Sequence, residues 1–436
     1  MHRGNYKDAI GYIKKAIAIN PSQAHYNNLL FCLCFERDAF LSNYLDEAHC
    51  LDILLTEKAT PFQQWPVTTL PTSPLRVGLV SGDFKAHPVG YFLESIITQL
   101  NTANIALIAY STHSHEDALT ARLKPYFHQW STIYALNDKQ AAQQIHADNI
   151  HILIDLSGYT SGNRLPVFTW RPAPVQISWL GYFASTGLQC MDYFLADPIS
   201  APKSVSSQFT EKVWHLPHTR LCFTPPAADI AQELTSLPAN KNGFITFGCF
   251  QNLDKLSDSI MMLWGKILEN CPNSKFMLKN MALKDTEAKQ TLISRFETLN
   301  IPIERVILEE GSSRELYLAA YGNVDFMLDT FPFPGGTTTC EALWMGVPTL
   351  TLTGNTLLER QGMAILNCVG LTDWIANDKT DYIQKAIYFA NNTHLLCQIR
   401  ANLRQTMATS PLVDAAQFAL DFEQALLAMW KEKTQL

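Results

Sequence analysis

No uninterrupted apolar run in these 436 residues is long enough to span a bilayer, and the opening stretch Met1-His2-Arg3-Gly4-Asn5-Tyr6 carries no signal-peptide core. The expected setting is the cytoplasm, with no membrane partner. Cysteine is scattered: ten residues, Cys32 and Cys34 inside an apolar helical stretch, none at the spacing of a zinc site or a disulfide framework. Reduced thiols are the simplest reading. A basic stripe is missing as well. Net charge is −7, which argues against a nucleic-acid partner and leaves room for a small anionic ligand needing only a few local donors. Walker, zinc-protease and Gly-x-Gly-x-x-Gly patterns are absent too.

What is present is an ordinary globular composition, 47% apolar and 17% charged, with length for two to three domains at about 150 residues each. Residues 1–60 read as helices. Gly4 to Pro21 has small residues where helices approach closely and an Asn20-Pro21 stop, and resembles the second helix of a tetratricopeptide repeat whose first helix is missing. Thr60 to Pro74 reads as a linker. Strands and helices then alternate over 75–226: strands at Leu75 to Ser81 and Ile105 to Tyr110, then helix, strand and helix to His146, then strands at Ile150 to Asp155, Val175 to Trp179 and Asp192 to Ala196. Ala227 to Asn242 turns loose and polar. A second alternating series fills 243–410, with strands at Phe244 to Phe247, Lys275 to Leu278, Arg305 to Leu308, Val324 to Leu328 and Thr349 to Thr353. Such alternation predicts two doubly wound, Rossmann-like α/β domains. Residues 411–436 are expected to supply a helix that packs back on the first of them.

The most informative run is Asp329-Thr330-Phe331-Pro332-Phe333-Pro334-Gly335-Gly336-Thr337-Thr338-Thr339-Cys340-Glu341. A buried strand enters a Pro/Gly loop, and a helix opens on three hydroxyl side chains. Free backbone N–H groups and the positive end of the helix dipole favour a phosphate there. Glu341, read as lying in the first turn, would repel a diphosphate and is expected to face neutral hydroxyls such as those of a ribose. The layout reads as a nucleotide-diphosphate pocket at the carboxyl edge of a parallel sheet; a plain capped β-α turn is the competing reading.

Longer stretches carry a family resemblance. They are Leu75-Arg76-Val77-Gly78-Leu79-Val80-Ser81-Gly82-Asp83-Phe84-Lys85-Ala86-His87-Pro88, Ile150 to Thr160, Arg171 to Gln176 with Trp179 to Tyr182, Phe247 to Lys255, and Gly336 to Pro348. In this order, from about Asn43 to Leu371, the chain resembles the nucleotide-sugar protein glycosyltransferases that include O-GlcNAc transferase and plant SPINDLY. The resemblance implies a GT-B fold and an inverting, metal-independent enzyme behind tetratricopeptide repeats. Its co-substrate would be a nucleotide sugar and its partner a protein or peptide acceptor.

Residue by residue, Lys255 matches the lysine that contacts the donor diphosphate, where a fixed ammonium stabilises the leaving group. Asn252 matches an amide on the nucleotide diphosphate. Gly336, Thr337 and Thr338 match the phosphate-cradling turn, Glu341 the ribose carboxylate, and His218 a Pro-His that lines the donor pocket. His87 matches the histidine of a His-Pro motif on the acceptor side, there to position the acceptor hydroxyl or accept its proton. His151 matches a histidine near the same cleft, and Asp155 closes the same strand at its carboxyl end. Tyr317 and Tyr321 fall where animal members carry a base-stacking histidine, but tyrosines at helical spacing more often pack a core. Animal relatives have Gly-His-Thr-Thr where this chain has Gly335-Gly336-Thr337-Thr338 and a second histidine at Tyr91; both positions sit closer to the SPINDLY type. Three donors stay open: UDP-GlcNAc to Ser/Thr first, GDP-fucose to Ser/Thr, and UDP-glucose to asparagine. A silent peptide-binding module is the non-enzyme alternative.

Overall fold

Asn20-Pro21 ends the first helix, Tyr6–Ile19, as expected, and Ser22 caps the second, Gln23–Leu33, by accepting from the His25 N–H at 3.3 Å. A third helix spans Arg37–Thr56. The computed structural model describes residues 6–66, 74–227 and 233–434, so Met1 to Asn5 and parts of both expected linkers lie outside the described residues. Two units divide the chain: Lys7–Thr224 with Asp414–Leu436, and one built on Pro225–Val413.

In the first unit seven parallel strands run β1 Leu75–Ser81, β2 Ile105–Ser111, β3 Gln129–Thr132, β4 Ile152–Asp155, β5 Val175–Ser178, β6 Tyr193–Ala196 and β7 Lys212–His215. Their order is β3-β2-β1-β4-β5-β6-β7. The central strands are buried on both faces and read as continuous apolar runs, as parallel sheets require. Sequence reasoning missed β7, an edge strand with exposed Lys212 and His215 and no apolar run. The helix Arg37–Thr56 docks on this unit: Tyr44 Oη donates to Ser185 O at 2.8 Å, and Gly187 (φ +68°) lets Ala48 approach to where a Cβ would lie 2.3 Å away. The last helix, Ala415–Thr434, also packs here, with Phe422 and Phe418 4.8 and 6.1 Å from the Trp179 ring.

The second unit holds β8 Ile245–Cys249, β9 Ser274–Asn280, β10 Val306–Glu310, β11 Phe326–Leu328, β12 Thr349–Leu352 and β13 Ile375–Ala376, in the order β10-β9-β8-β11-β12-β13. β13 has two residues and left no pattern to read. The polar stretch before β8 hides a one-turn helix, Pro238–Asn242, with proline at its start and Gly243 (φ +73°) after its end. The expected class, two doubly wound parallel sheets preceded by helices, is what the chain forms. In each sheet the order reverses once, between β1 and β4 and between β8 and β11, and in open α/β sheets such reversals mark the ligand crevice. Among the described residues no helix is long and apolar enough to cross a membrane.

Candidate active site

At the β8/β11 reversal the chain brings an ammonium, a buried carboxylate and a helix start together. After β8 a short turn, Leu253–Lys255, carries Lys255 beside the loop that follows β11. Its Nζ donates to Pro334 O at 3.0 Å and Gln251 Oε1 at 3.2 Å and lies 4.0 Å over the Phe333 ring. Burial lowers its pKa to about 8, against the opposing pull of Asp329 and Cys249.

Asp329 directly follows β11 and is fully buried. Its Oδ1 accepts from Thr330 N at 2.9 Å and Gly335 N at 2.8 Å, and its Oδ2 accepts from Thr351 Oγ1 at 2.9 Å. Burial raises it to about 6, and those bonds and Lys255 hold it back. Asp329 thereby folds the Phe331-to-Gly336 loop onto itself and delivers the helix Thr337–Trp344, with Gly336 as its cap. Thr337 Oγ1 and Thr339 Oγ1 are buried with no hydrogen-bond partner among the described residues. Unpaired hydroxyls beside unpaired helix N–H groups form a donor set that an anion would complete.

Glu341 requires correction. The helix starts at Thr337, so Glu341 stands in the second turn, and its buried carboxylate pairs with the Arg314 guanidinium rather than facing open space. Burial raises its pKa, opposed by Arg314 and Tyr317. Tyr321 is wholly buried in the core, as helical spacing suggested, whereas Tyr317 lines a cavity of about 840 Å³. Asn252 and Ser312 from the loops after β8 and β10, and Asn280 and Met281 at and just after the end of β9, share that cavity. Asn252 is exposed, with Oδ1 accepting from Asp254 N at 3.4 Å. The amide that reaches Lys255 and Thr338 is instead its neighbour Gln251. Sequence reasoning missed Gln251, Asp329 and Arg314. Asp329 carried the same signal as Asp155, a carboxylate at a strand's carboxyl end.

In the first unit, His87 follows β1 and caps the helix Pro88–Ile97: its Nδ1 accepts from Val89 N at 3.3 Å, with Asp83 Oδ2 at 3.6 Å. Burial lowers the ring's pKa while Asp83 raises it. Because Nδ1 receives an N–H, the neutral ring carries its proton on Nε2 and presents a donor. With its proton there, the ring can position a hydroxyl by donating to it. Asp155 is wholly buried, Oδ1 accepting from Ser157 N at 3.3 Å and Oδ2 from Gly158 N at 2.6 Å, and burial raises it to about 7. It shapes the loop after β4 and has no surface with which to touch substrate.

His151 is placed differently from expectation. It precedes β4, at the amino edge, roughly 13 Å along the strand from its carboxyl end. Its Nδ1 accepts from Arg76 N at 3.2 Å, its ring meets Trp430 edge-on at 5.0 Å, and burial, then Arg76, lowers it to about 4. Buried and satisfied on the far side of the sheet, it belongs to the packing. His218 is exposed beyond β7.

Against known proteins, the description of glycosyl transferase family 41 matches residues 18–224 and 230–422. Over 375 residues the chain is 34% identical to a tomato (Solanum lycopersicum) protein named probable UDP-N-acetylglucosamine–peptide N-acetylglucosaminyltransferase SPINDLY, covering 85% of this chain and 40% of that protein. A mutant O-GlcNAc transferase of Thermobaculum terrenum superposes with a TM-score of 0.83 at 30% identity, covering 99% of this chain and 89% of that one. UDP-bound HepE of Anabaena, 11% identical with a TM-score of 0.52 over 81% of this chain and all of its own, shares the fold alone. Two Rossmann-like units in this order define the GT-B class. The chain belongs to glycosyltransferase family 41, and it spans about 40% of the length of the SPINDLY relatives it matches.

Proposed function

We propose that this chain is the catalytic part of a protein glycosyltransferase. It moves a single sugar from a nucleotide diphosphate, UDP-GlcNAc first, to serine or threonine hydroxyls of protein acceptors, with inversion and without a metal. The observation that carries the reading is Lys255 beside the start of the helix Thr337–Trp344 at a strand-order reversal, in a chain of this family. The names of its relatives favour UDP-GlcNAc.

In an inverting transfer the acceptor hydroxyl oxygen attacks the anomeric carbon opposite the diphosphate, the bond to the diphosphate oxygen breaks, and the hydroxyl proton leaves to the released nucleoside diphosphate or to water. Negative charge grows on the leaving group. Lys255 and the N–H groups around Gly336, Thr337 and Thr338 meet that charge, which is where a preorganised site gains most. Asn252 and Tyr317 line the nucleoside side, and Glu341 acts through Arg314. His87 donates a hydrogen bond on the acceptor side, Asp155 holds its loop, and His218 is assigned to the donor on resemblance alone. His151 takes no part.

The test incubates the chain with a protein acceptor and each of UDP-GlcNAc, GDP-fucose and UDP-glucose, reading sugar addition by intact mass. Lys255→Ala should lose transfer by a factor on the order of 10² to 10³ while keeping its circular dichroism and melting curve. Near-normal transfer by that variant would overturn the assignment.

A further inference from the structure

Gln251 is 5% exposed and its side chain spends every polar atom inside the second unit. Oε1 accepts from Lys255 Nζ at 3.2 Å; Nε2 donates to Thr338 Oγ1 at 2.7 Å and to Asp329 Oδ1 at 3.3 Å. The amide's orientation is fixed by its neighbours, since an ammonium only donates and a carboxylate only accepts. Its backbone is fixed too, with Gln251 O accepting from Asn280 Nδ2 at 3.0 Å. Gly335 makes the approach possible: a Cβ there would fall 2.2 Å from Gln251 Nε2 and 2.6 Å from Thr338 Oγ1.

We propose that Gln251 is a positioning residue for the transfer, a two-handed strut that aims the Lys255 ammonium with one end and the start of the helix Thr337–Trp344 with the other. This rests on the reading that both meet the donor diphosphate. Lys255 has three N–H donors; Gln251 Oε1 and Pro334 O engage two of them. A flexible lysine is a poor point charge unless something holds its tip, and Gln251 is the side chain that does so. The same amide, through Thr338, ties that tip to the helix whose N–H groups face the same anion. A glutamine suits both tasks because it is neutral, and so holds the cation without cancelling it.

The experiment compares Gln251→Leu and Gln251→Glu in the full chain. The Lys255 titration is followed by carbon NMR of side-chain-labelled lysine, its signal assigned by loss in Lys255→Met. Lys255 faces Asp329 and Cys249 as well as Gln251, and neither is altered. Removing the acceptor in Gln251→Leu should lower the Lys255 midpoint by about half a unit or more, and the carboxylate of Gln251→Glu should raise it. With sugar nucleotide, Gln251→Leu should lose about tenfold or more in kcat with a smaller change in KM. An unchanged midpoint in both variants, or wild-type kcat in Gln251→Leu, overturns the proposal. Should Gln251→Leu not fold, the direction of the Gln251→Glu shift decides alone. The midpoints are read without nucleotide, so an inactive wild-type chain sinks the proposed function and leaves Gln251 to be judged by the titration.

Discussion

Lys255 makes donor affinity depend on pH in a way that follows from its surroundings. In the free chain its pKa is lowered to about 8 by burial, so near that pH half of the ammonium has lost its proton. A diphosphate brought against Nζ favours the charged form and raises the value in the complex. The group is thus depressed in the free state and restored in the bound state: affinity is fully present below about pH 8 and falls as pH rises through it. If the bound lysine stays charged to pH 9, the dissociation constant scales as one plus the ratio of neutral to charged free lysine. That factor is about 1.1 at pH 7, about 2 at pH 8 and about 11 at pH 9, so binding weakens about tenfold over two units. A nucleoside diphosphate is already ionised across this range, with a second phosphate pKa of about 6. Calorimetric titration of UDP or GDP in two buffers of different ionisation enthalpy reads both quantities. Uptake of about half a proton per ligand is expected at pH 8, with none in Lys255→Met. A constant affinity from pH 7 to 9 with no proton uptake would refute the placement of Lys255 against the diphosphate.

Three further outcomes are expected. Gly335→Ala drives a methyl group into Gln251 Nε2 and the hydroxyls of Thr338 and Thr339, and should cost about 1 to 3 kcal/mol in a urea melt together with most donor binding. His87→Gln keeps a donor near the Nε2 position, so its kcat/KM should fall about tenfold against a hundredfold or more for His87→Ala; equal losses would restore His87 as a base. Glu341→Gln breaks the pair with a half-exposed Arg314 and loosens the cavity wall at Tyr317, which should raise KM for the sugar nucleotide while leaving kcat near wild type in steady-state assays.

The sheets were legible because parallel strands buried on both faces leave continuous apolar runs, such as Val77 to Val80 or Ile152 to Ile154, between polar helical stretches. The strands that escaped notice are edges. β7 exposes Lys212 and His215, and β13 is too short for any period to appear. At the site, strand-end logic found Asp155 and the Thr337 turn but gave no means to tell a carboxylate that touches ligand from one that folds its own loop. That distinction lies in burial and in N–H partners one to six residues on, which no spacing encodes. Matching motifs singled out Asn252, which lines the cavity, and passed over Gln251, whose contacts with Lys255 and Thr338 come from side-chain direction. His151, one residue before β4, and Asp155, its last residue, belong to one matched stretch of sequence and stand at opposite edges of the sheet.

The two units answer the same topology with different electrostatics. Each reverses strand order once, and each has, at the carboxyl end of the fourth strand of its sheet order, a buried aspartate that folds the following loop through backbone N–H groups. Asp155 has those N–H groups and little else, and burial carries it to about 7. Asp329 has Thr351, Gln251 and the nearby Lys255 in addition, and stops at about 6. A carboxylate kept more fully ionised beside an ammonium holds that ammonium charged in a half-buried place, where alone it would shed its proton. Near neutral pH the second unit therefore offers a standing positive charge next to a helix start. The first places the His87 imidazole at the equivalent reversal, where burial lowers its pKa and Asp83 opposes that. The same strand order thus sets a positive charge beside a helix start in one unit and an imidazole in the other, and the difference is carried by Lys255 and the amide that holds it.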